Sequence, residues 1–189
     1  MIGGGFSGVS TALTLAERGA KVLLIEANLI GWGASGRNGG QVIGGVESQA
    51  RLAKVWGDRA QEVFRQLRFH GHDIIKSRIE RYAIDCDFAP GAITAAAKPG
   101  HLKGLEADFA RENDKKSMEL VDRESVRGLL GTDRYHGGLI DHRDAHLHPL
   151  NLCLGEARAA ASLGVGIFEQ TPAIGIEADD GFSITTPNG

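Results

Sequence analysis

The sequence predicts an α/β fold built on a parallel sheet, and three observations support this. A glycine-rich turn at residues 3–8 follows two apolar residues and precedes a helical pattern. After that helix, residues 21–26 form a short apolar run that is typical of a strand covered on both faces. Short strand signals later in the chain indicate an additional antiparallel sheet, which makes the whole chain α+β.

The glycine turn fits a dinucleotide-binding motif. Gly3, Gly5 and Gly8 satisfy G-x-G-x-x-G, whose glycines permit a tight turn, close approach of the backbone to a pyrophosphate and close contact between helix and strand. Residues 7–18 place apolar side chains on one helical face, and Gly19 provides a stop. The phosphates would lie at the positive end of this helix. A structural strand–helix–strand unit that binds nothing is the alternative.

Glu26 is the candidate ribose ligand. It ends the second strand signal, 18 positions after Gly8, near the spacing at which a carboxylate accepts hydrogen bonds from the ribose hydroxyls of an adenosine. An acid here disfavours NADP, because the 2′-phosphate would face a like charge. The turn and the acid together predict a Rossmann-like nucleotide site.

Residues 27–41 are too rich in glycine for a helix and too many for a tight turn, so they predict an irregular loop. A loop that leaves the carboxyl end of a parallel strand passes the crevice where such sheets bind ligands. Its clustered glycines would let the backbone approach a flat ring closely. Arg37, Asn38 and Gln41 add donors for phosphate or carbonyl oxygens. A flexible surface loop is the alternative.

These motifs resemble a known family. IGGGFSG at residues 2–8, the acid Glu26 and GASGRNGGQ at residues 33–41 are similar to the amino-terminal part of flavin-dependent amine oxidoreductases of the D-amino-acid-oxidase and glycine-oxidase superfamily, in particular its γ-glutamylputrescine oxidase branch. The resemblance implies that the first motif holds the ADP half of FAD and that the second passes along the pyrophosphate towards the isoalloxazine ring. The implied cofactor-binding residues are Gly3, Gly5, Phe6, Ser7, Gly8, Glu26, Ala27, Ala34, Ser35, Arg37, Asn38, Gly39, Gly40 and Gln41.

The resemblance also implies a reaction. A hydride would pass from the carbon that bears an amine to the flavin, the imine would hydrolyse to an aldehyde and an amine or ammonia, and oxygen or another acceptor would reoxidise the cofactor. The partners would be a small-molecule amine and the electron acceptor, with no metal and no protein nucleophile. An NAD-dependent dehydrogenase and a non-catalytic FAD-binding subunit are the alternatives. No catalytic residue is assigned.

We expect the chain to have three parts. Residues 1–83 would form the first part of the FAD-binding domain, 84–145 part of an inserted substrate domain with an antiparallel sheet, and 146–189 the return to the FAD-binding domain. Only two residues precede the glycine turn, and a turn signal without a following strand ends the sequence. We therefore expect both termini to be internal to a longer protein.

The remaining elements follow from periodicity and turn residues. The predicted helices are 58–82, 100–116, a helix capped by Asp122, and 150–163. The predicted strands are 84–88, 92–97, 135–140, 165–169, 173–177 and 182–186, with turns at Pro90-Gly91 and 179–181.

Possible metal ligands are concentrated near one predicted crossover between domains. They are Asp141, His142, Asp144, His146 and His148. No other part of the chain completes a metal signature, so we predict a loop there and no metal site. His70 and His72 are two positions apart on a helix and point to different sides, which predicts ordinary surface or packed histidines.

Composition argues against several partners. The net charge is −3, from 21 basic and 24 acidic residues mixed along the chain, which predicts no nucleic-acid surface and no polybasic membrane anchor. No apolar run approaches the roughly 20 residues that span a bilayer, so we expect a cytoplasmic protein. Cys86 and Cys153 are too few and too far apart for a disulfide framework and are predicted to be thiols.

Overall fold

The computed structural model describes residues 1–44, 54–112 and 115–187. Its longer helices are α1 Phe6–Glu17, α2 Asp58–Arg81, α3 Pro99–Arg111, α4 Arg123–Leu130 and α5 Pro149–Ser162. Its strands are β1 Leu23–Ile25, β2 Gln41–Val42, β3 Ala89–Ala95, β4 Met118–Asp122, β5 Gly137–His146, β6 Gly166–Phe168, β7 Gly175–Asp179 and β8 Gly181–Thr185. Positions 113–114 of one predicted helix and 188–189 of the final turn lie outside the described residues.

The chain divides into two compact units. The first comprises Met1–Gly40, Ile74–Asp87 and Leu147–Gly189, and the second comprises Gln41–Asp73 and Phe88–His146. The functional assignment of segments 1–83, 84–145 and 146–189 stays a prediction. Within the described ranges, no helix combines the length and apolar character that a bilayer crossing requires.

Parallel strands form the centre of the first unit. β1 pairs with β6 in the register Leu23↔Gly166 and Ile25↔Phe168. Ile2 adds a parallel bridge to Ile25, on the other side of the glycine turn from α1. The predicted α/β core with a parallel sheet is therefore confirmed.

Two helices bury their small-residue faces in this unit. α1 and α5 pack against each other, and both helices match their sequence predictions. Pro149 occupies the first turn of α5, and His148 caps it by accepting the N–H of Asn151 at Nδ1 (3.2 Å). The buried core comprises Val9, Ala12, Leu13, Leu24, Ile30, Cys153, Ala157, Ala159, Ala160 and Val165.

The predicted hairpin near the end of the chain is also confirmed. β7 and β8 are antiparallel, and Asp179 pairs with Gly181 across the turn. Gly181 has a φ of 141°, a conformation that favours glycine.

An antiparallel sheet organises the second unit around β5. β3 pairs along one side of β5, while β4 and β2 pair on it at Met118↔Asp141 and Gln41↔His146. The predicted helices α2 and α4 are present, and the carboxylate of Asp122 accepts the N–H of Ser125 (2.9 Å) as predicted for its cap. β4 was not predicted from the sequence.

The predicted strand at 84–88 is wrong. Positive φ angles at Ala83 (48°) and Asp87 (51°) interrupt extended backbone at both ends of this segment. Cys86 is nevertheless buried, and its carbonyl oxygen accepts the N–H of His148 (2.7 Å). Ile84 and Cys86 are thus buried in the first unit without joining a sheet.

The predicted turn at Pro90-Gly91 is also wrong, because both residues lie inside β3. The pairing passes from Pro90↔Ala145 directly to Ala92↔Asp141, so Gly91 faces three residues of β5. Pro90 has no N–H to donate and Gly91 has a φ of 92°, and both properties suit a β-bulge. Residues 141–146 accordingly belong to β5 rather than to the predicted crossover loop.

Within the first unit, a buried arginine connects α1, α5 and the carboxyl-terminal part of α2. The guanidinium of Arg78 on α2 donates to Ser10 Oγ and Thr14 Oγ1 on α1 and to Glu156 Oε1 on α5, each at 2.7 Å. The side chains of Arg78 and Glu156 are 7% and 4% exposed. Burial raises the pKa of Glu156, and the adjacent guanidinium opposes that rise. Each polar group in this network therefore depends on its partners to offset desolvation.

Replacing Arg78 with Met should lower the free energy of unfolding by about 3–5 kcal/mol, because Glu156 would stay buried without its cation. Loss of the guanidinium should raise the pKa of Glu156 further. The destabilisation should therefore be largest near neutral pH and smaller at acidic pH, where the carboxyl is protonated. The measurement is the unfolding midpoint at both pH values, with Arg81→Met, at an exposed position, as control. A midpoint unchanged from wild type at neutral pH would contradict the prediction.

Candidate cofactor site

The glycine turn brings backbone groups unusually close together. Gly3 has a φ of 100°, and its N–H donates to the carbonyl oxygen of Ile25 (2.8 Å). A Cβ at Gly8 would collide with the carbonyl oxygen of Gly3, so α1 can lie against the turn only because position 8 has no side chain. α1 begins at Phe6, and its N-cap residue Gly5 offers no side-chain cap. Such a helix end suits an anionic group.

Glu26 fixes the turn through its carboxylate. Oε2 accepts the N–H of Gly4 (2.6 Å), and Oε1 accepts the N–H of Asn28 (2.8 Å). The side chain is half-buried at the carboxyl end of β1. The sequence predicted a ligand role for Glu26, whereas the structure adds a role in shaping the turn itself.

The loop at 27–41 is anchored on the turn at several points. Gly31 N–H donates to the carbonyl oxygen of Gly4 (2.9 Å), and Ser35 Oγ accepts the N–H of Phe6 (2.9 Å). A short 3₁₀ helix, Ala34–Gly36, carries Ser35 to this position. These contacts favour a loop with a defined path over the alternative of a flexible surface loop.

Asn38 and Arg37 use their side chains within the loop. The amide Nδ2 of Asn38 donates to the carbonyl oxygens of Ala34 and Ser35 (both 3.0 Å), and its Oδ1 accepts the N–H of Gly40 (2.8 Å). The guanidinium of Arg37 lies 4.5 Å from the ring centroid of Trp32. Asn38 therefore holds the loop conformation, and Arg37 keeps its charge at an exposed position.

The candidate residues differ in exposure. Those that are exposed are Ser7, Ala27, Ala34, Arg37, Asn38, Gly39 and Gln41. Those that are half-buried are Gly3, Gly5, Phe6, Gly8, Glu26 and Ser35, while Gly40 is buried. The residues from Gly3 to Gly40 belong to the first unit, and Gln41 belongs to the second, where it pairs with His146.

Two supporting residues were not predicted from the sequence. Glu169 Oε1 accepts the N–H of Ile30 in the loop (2.6 Å). The thiol of Cys153 lies 3.7 Å from the carbonyl oxygen of Gly4. Burial, and to a smaller extent the charge of Glu156, raise the pKa of Cys153 to about 11. The thiol is thus neutral at pH 7 and can donate. A signal for Glu169 was available, because it follows β6 as Glu26 follows β1.

The histidines and acids near residue 141 do not form a metal site among the described residues. Asp141 is bound by the guanidinium of Arg143, with distances of 3.0 and 2.9 Å. Asp144 accepts the N–H of Gly44 (2.8 Å) and lies 3.5 Å from His72. His72 is buried and His70 is exposed, in agreement with the prediction of packed or surface histidines.

The donor set fits a dinucleotide. α1 packs closely on the turn because Gly8 has no side chain, its N-terminus has no side-chain cap, and a carboxylate stands beside the turn at the end of β1. Arg37 adds a positive charge on the adjoining loop. These features define a dinucleotide-binding protein of the Rossmann type.

Comparison with known proteins identifies the family. The sequence profile described as "FAD dependent oxidoreductase" (DAO) matches residues 1–189, and the chain belongs to this family. It is 38% identical to the γ-glutamylputrescine oxidoreductase of Escherichia coli K12 over 194 residues, which cover 100% of this chain and 45% of that relative. It is 41% identical to the probable oxidoreductase OrdL of Haemophilus influenzae over 187 residues, which cover 96% and 43%.

A solved structure supports the same fold. The glycine oxidase from Bacillus cereus ATCC 14579 superposes with a TM-score of 0.79 at 23% identity, covering 100% of this chain and 52% of that protein. The chain thus spans about half the length of the relatives it matches. The family match confirms the resemblance and the FAD cofactor, and it favours FAD over the NAD alternative.

Replacing Glu26 with Gln should weaken FAD binding about ten- to a hundredfold, because one charge-assisted acceptor is lost at the turn and at the proposed ribose contact. The measurement is the dissociation constant for FAD of a chain of the relatives' length that contains these residues, hereafter the full-length protein. Glu80→Gln, at an exposed position of α2, is the matched control. Equal FAD affinity in Glu26→Gln and wild type would show that the Glu26 carboxylate does not contribute to FAD binding.

Proposed function

We propose that residues 1–189 form the FAD-binding amino-terminal half of an amine oxidoreductase whose substrate is a γ-glutamylputrescine-like or amino-acid-like amine. The observation that carries this proposal is 38% identity to a γ-glutamylputrescine oxidoreductase along the whole of this chain. Oxygen is the proposed electron acceptor. A cytoplasmic location and the absence of nucleic-acid and membrane partners stay predictions.

In this proposal the chain's own residues bind and orient the cofactor. The turn from Gly3 to Gly8 and the amino end of α1 hold the pyrophosphate, because backbone N–H groups and the helix dipole favour an anion there. Glu26 accepts hydrogen bonds from the adenosine ribose. The first unit is the FAD-binding part, and the sheet of the second unit begins the substrate domain.

The loop at 33–41 is proposed to approach the flavin ring. Asn38 holds the loop through two of its carbonyl oxygens and one of its N–H groups, and the exposed Arg37 would offer its charge to the cofactor. Gly39 has open space where a side chain would stand, so the backbone there can lie against a flat ring. Bound FAD would supply the two-electron acceptor that oxidation of a C–N bond requires.

The function is tested on the purified full-length protein. We expect the visible absorption bands of bound flavin, bleaching of those bands when γ-glutamylputrescine or an amino acid is added without oxygen, and peroxide release when oxygen is admitted. Flavin that no amine in a broad panel bleaches would indicate the non-catalytic binding subunit. Absence of flavin after FAD reconstitution would overturn the proposal.

Residues 1–189 expressed alone should not turn over amines. The chain covers 45% of its γ-glutamylputrescine oxidoreductase relative, so a substrate pocket built as in that relative would lack walls. Large apolar side chains are also exposed, including Leu23 (64%) and Phe182 (82%), which favours association. The measurement is bound flavin and peroxide release with excess FAD, compared with the full-length protein. Equal turnover by the two proteins would contradict this expectation.

A further inference from the structure

A buried polar cluster holds the backbone that directly follows the cofactor loop. Nε2 of His72, on α2, lies 3.0 Å from the carbonyl oxygen of Val42, and Asp144 Oδ1 accepts the N–H of Gly44 (2.8 Å). His72 and Asp144 are 6% and 8% exposed. Both belong to the second unit, as do Val42 and Gly44.

The histidine and the aspartate also face each other. Nε2 of His72 lies 3.5 Å from Asp144 Oδ1, so the same nitrogen is directed at two acceptors, the carboxylate and the carbonyl oxygen of Val42. A carbonyl oxygen can only accept, so a hydrogen bond to Val42 uses the tautomer of His72 that has its N–H at Nε2. The pair therefore holds residues 42–44 by two contacts, one at the carbonyl group of Val42 and one at the N–H group of Gly44.

An aromatic contact confines the same segment. Gly44 lies against Phe69, since a Cβ at Gly44 would collide with the ring. The Phe69 ring contacts His72 edge to face at 5.3 Å, and the guanidinium of Arg143 lies 4.1 Å from its centroid. Phe69 and His72 are three positions apart on α2, so they share one helical face.

The segment needs such support because its own pairing is short. β2 contains only Gln41 and Val42, opposite His146 and Ala145. Two paired residues supply few ladder hydrogen bonds, and β5 bulges next to this point. Beyond this pairing, the contacts of His72 and Asp144 hold the backbone that directly follows Gln41, the candidate flavin contact in the second unit.

We propose that His72 and Asp144 are positioning residues that set the place of Gln41 against the flavin ring by fixing the backbone of Val42 and Gly44. The proposal rests on the proposed function, in which the loop ending at Gln41 approaches the ring. Neither residue touches the cofactor. Their effect on the flavin passes through the backbone of residues 41–44.

The test compares paired variants of the full-length protein. His72→Leu removes the donor, while His72→Gln keeps an N–H group near the position of Nε2. Asp144→Leu removes the acceptor for Gly44, while Asp144→Asn keeps it. His70→Leu, at an exposed position on the same helix, is the control.

Two readouts separate positioning from a merely structural role. Hydrogen exchange of peptides covering residues 41–44 in the apoprotein should be faster in both leucine variants. At full flavin occupancy, the visible circular dichroism and the reduction potential of the flavin should shift in the leucine variants, and the FAD dissociation constant should rise about tenfold. The Gln and Asn variants should lie close to wild type, and His70→Leu should be unchanged.

The outcomes distinguish this proposal from the proposed function. Leucine variants with a lower thermal midpoint but unchanged flavin dichroism and potential would show that the pair is only structural, and would overturn the positioning role while leaving the function intact. A wild-type protein that takes up no FAD would overturn both.

Discussion

The structure of the first unit depends on the contact between the backbone at Gly3 and the helix at Gly8. The carbonyl oxygen of Gly3 occupies the space that a side chain at position 8 would need. Because of this contact, α1 starts directly at the turn and can bury Val9, Ala12 and Leu13 completely. At the same end of α1, the N-cap residue Gly5 provides no side-chain cap. The glycine turn therefore combines close packing of the core with a helix N-terminus that suits an anion.

Acidic residues at the ends of two parallel strands bind the turn and the loop that follows β1. Ile25 and Phe168 pair, so Glu26 and Glu169, which follow them, emerge at the same edge of the sheet. Glu26 accepts the N–H of Gly4, and Glu169 accepts the N–H of Ile30. An irregular loop needs partners for its N–H groups, and these two carboxylates supply some of them. The loop therefore takes a defined path although its sequence forms no long element.

Local signals were sufficient for the glycine turn, α1 and α5. Pro149, the Asp122 cap and the hairpin at 179–181 were read correctly, because each acts within a few residues. The bulge opposite Gly91 could not be predicted, since it depends on the register between β3 and β5, about 50 residues apart. The fold class followed from motif spacing, and the family and the FAD cofactor followed from the resemblance of these motifs to a known family. The hydrogen-bond partners of Asp144 and Glu169 could not be predicted, because they lie far away in the sequence and are brought close only by the fold.

The acidic residues differ in how many further hydrogen bonds their carboxylates can accept. Asp141 and Glu156 are buried and engaged by guanidinium groups, so a further ligand would have to displace an ion pair at a desolvation cost. Glu26 is only half-buried and accepts two backbone N–H groups, while a carboxylate offers about four acceptor positions. It can therefore shape the turn and still bind two hydroxyl groups. This combination of position and remaining capacity is what a ribose contact requires, and it separates Glu26 from acids whose role is to hold helices and strands together.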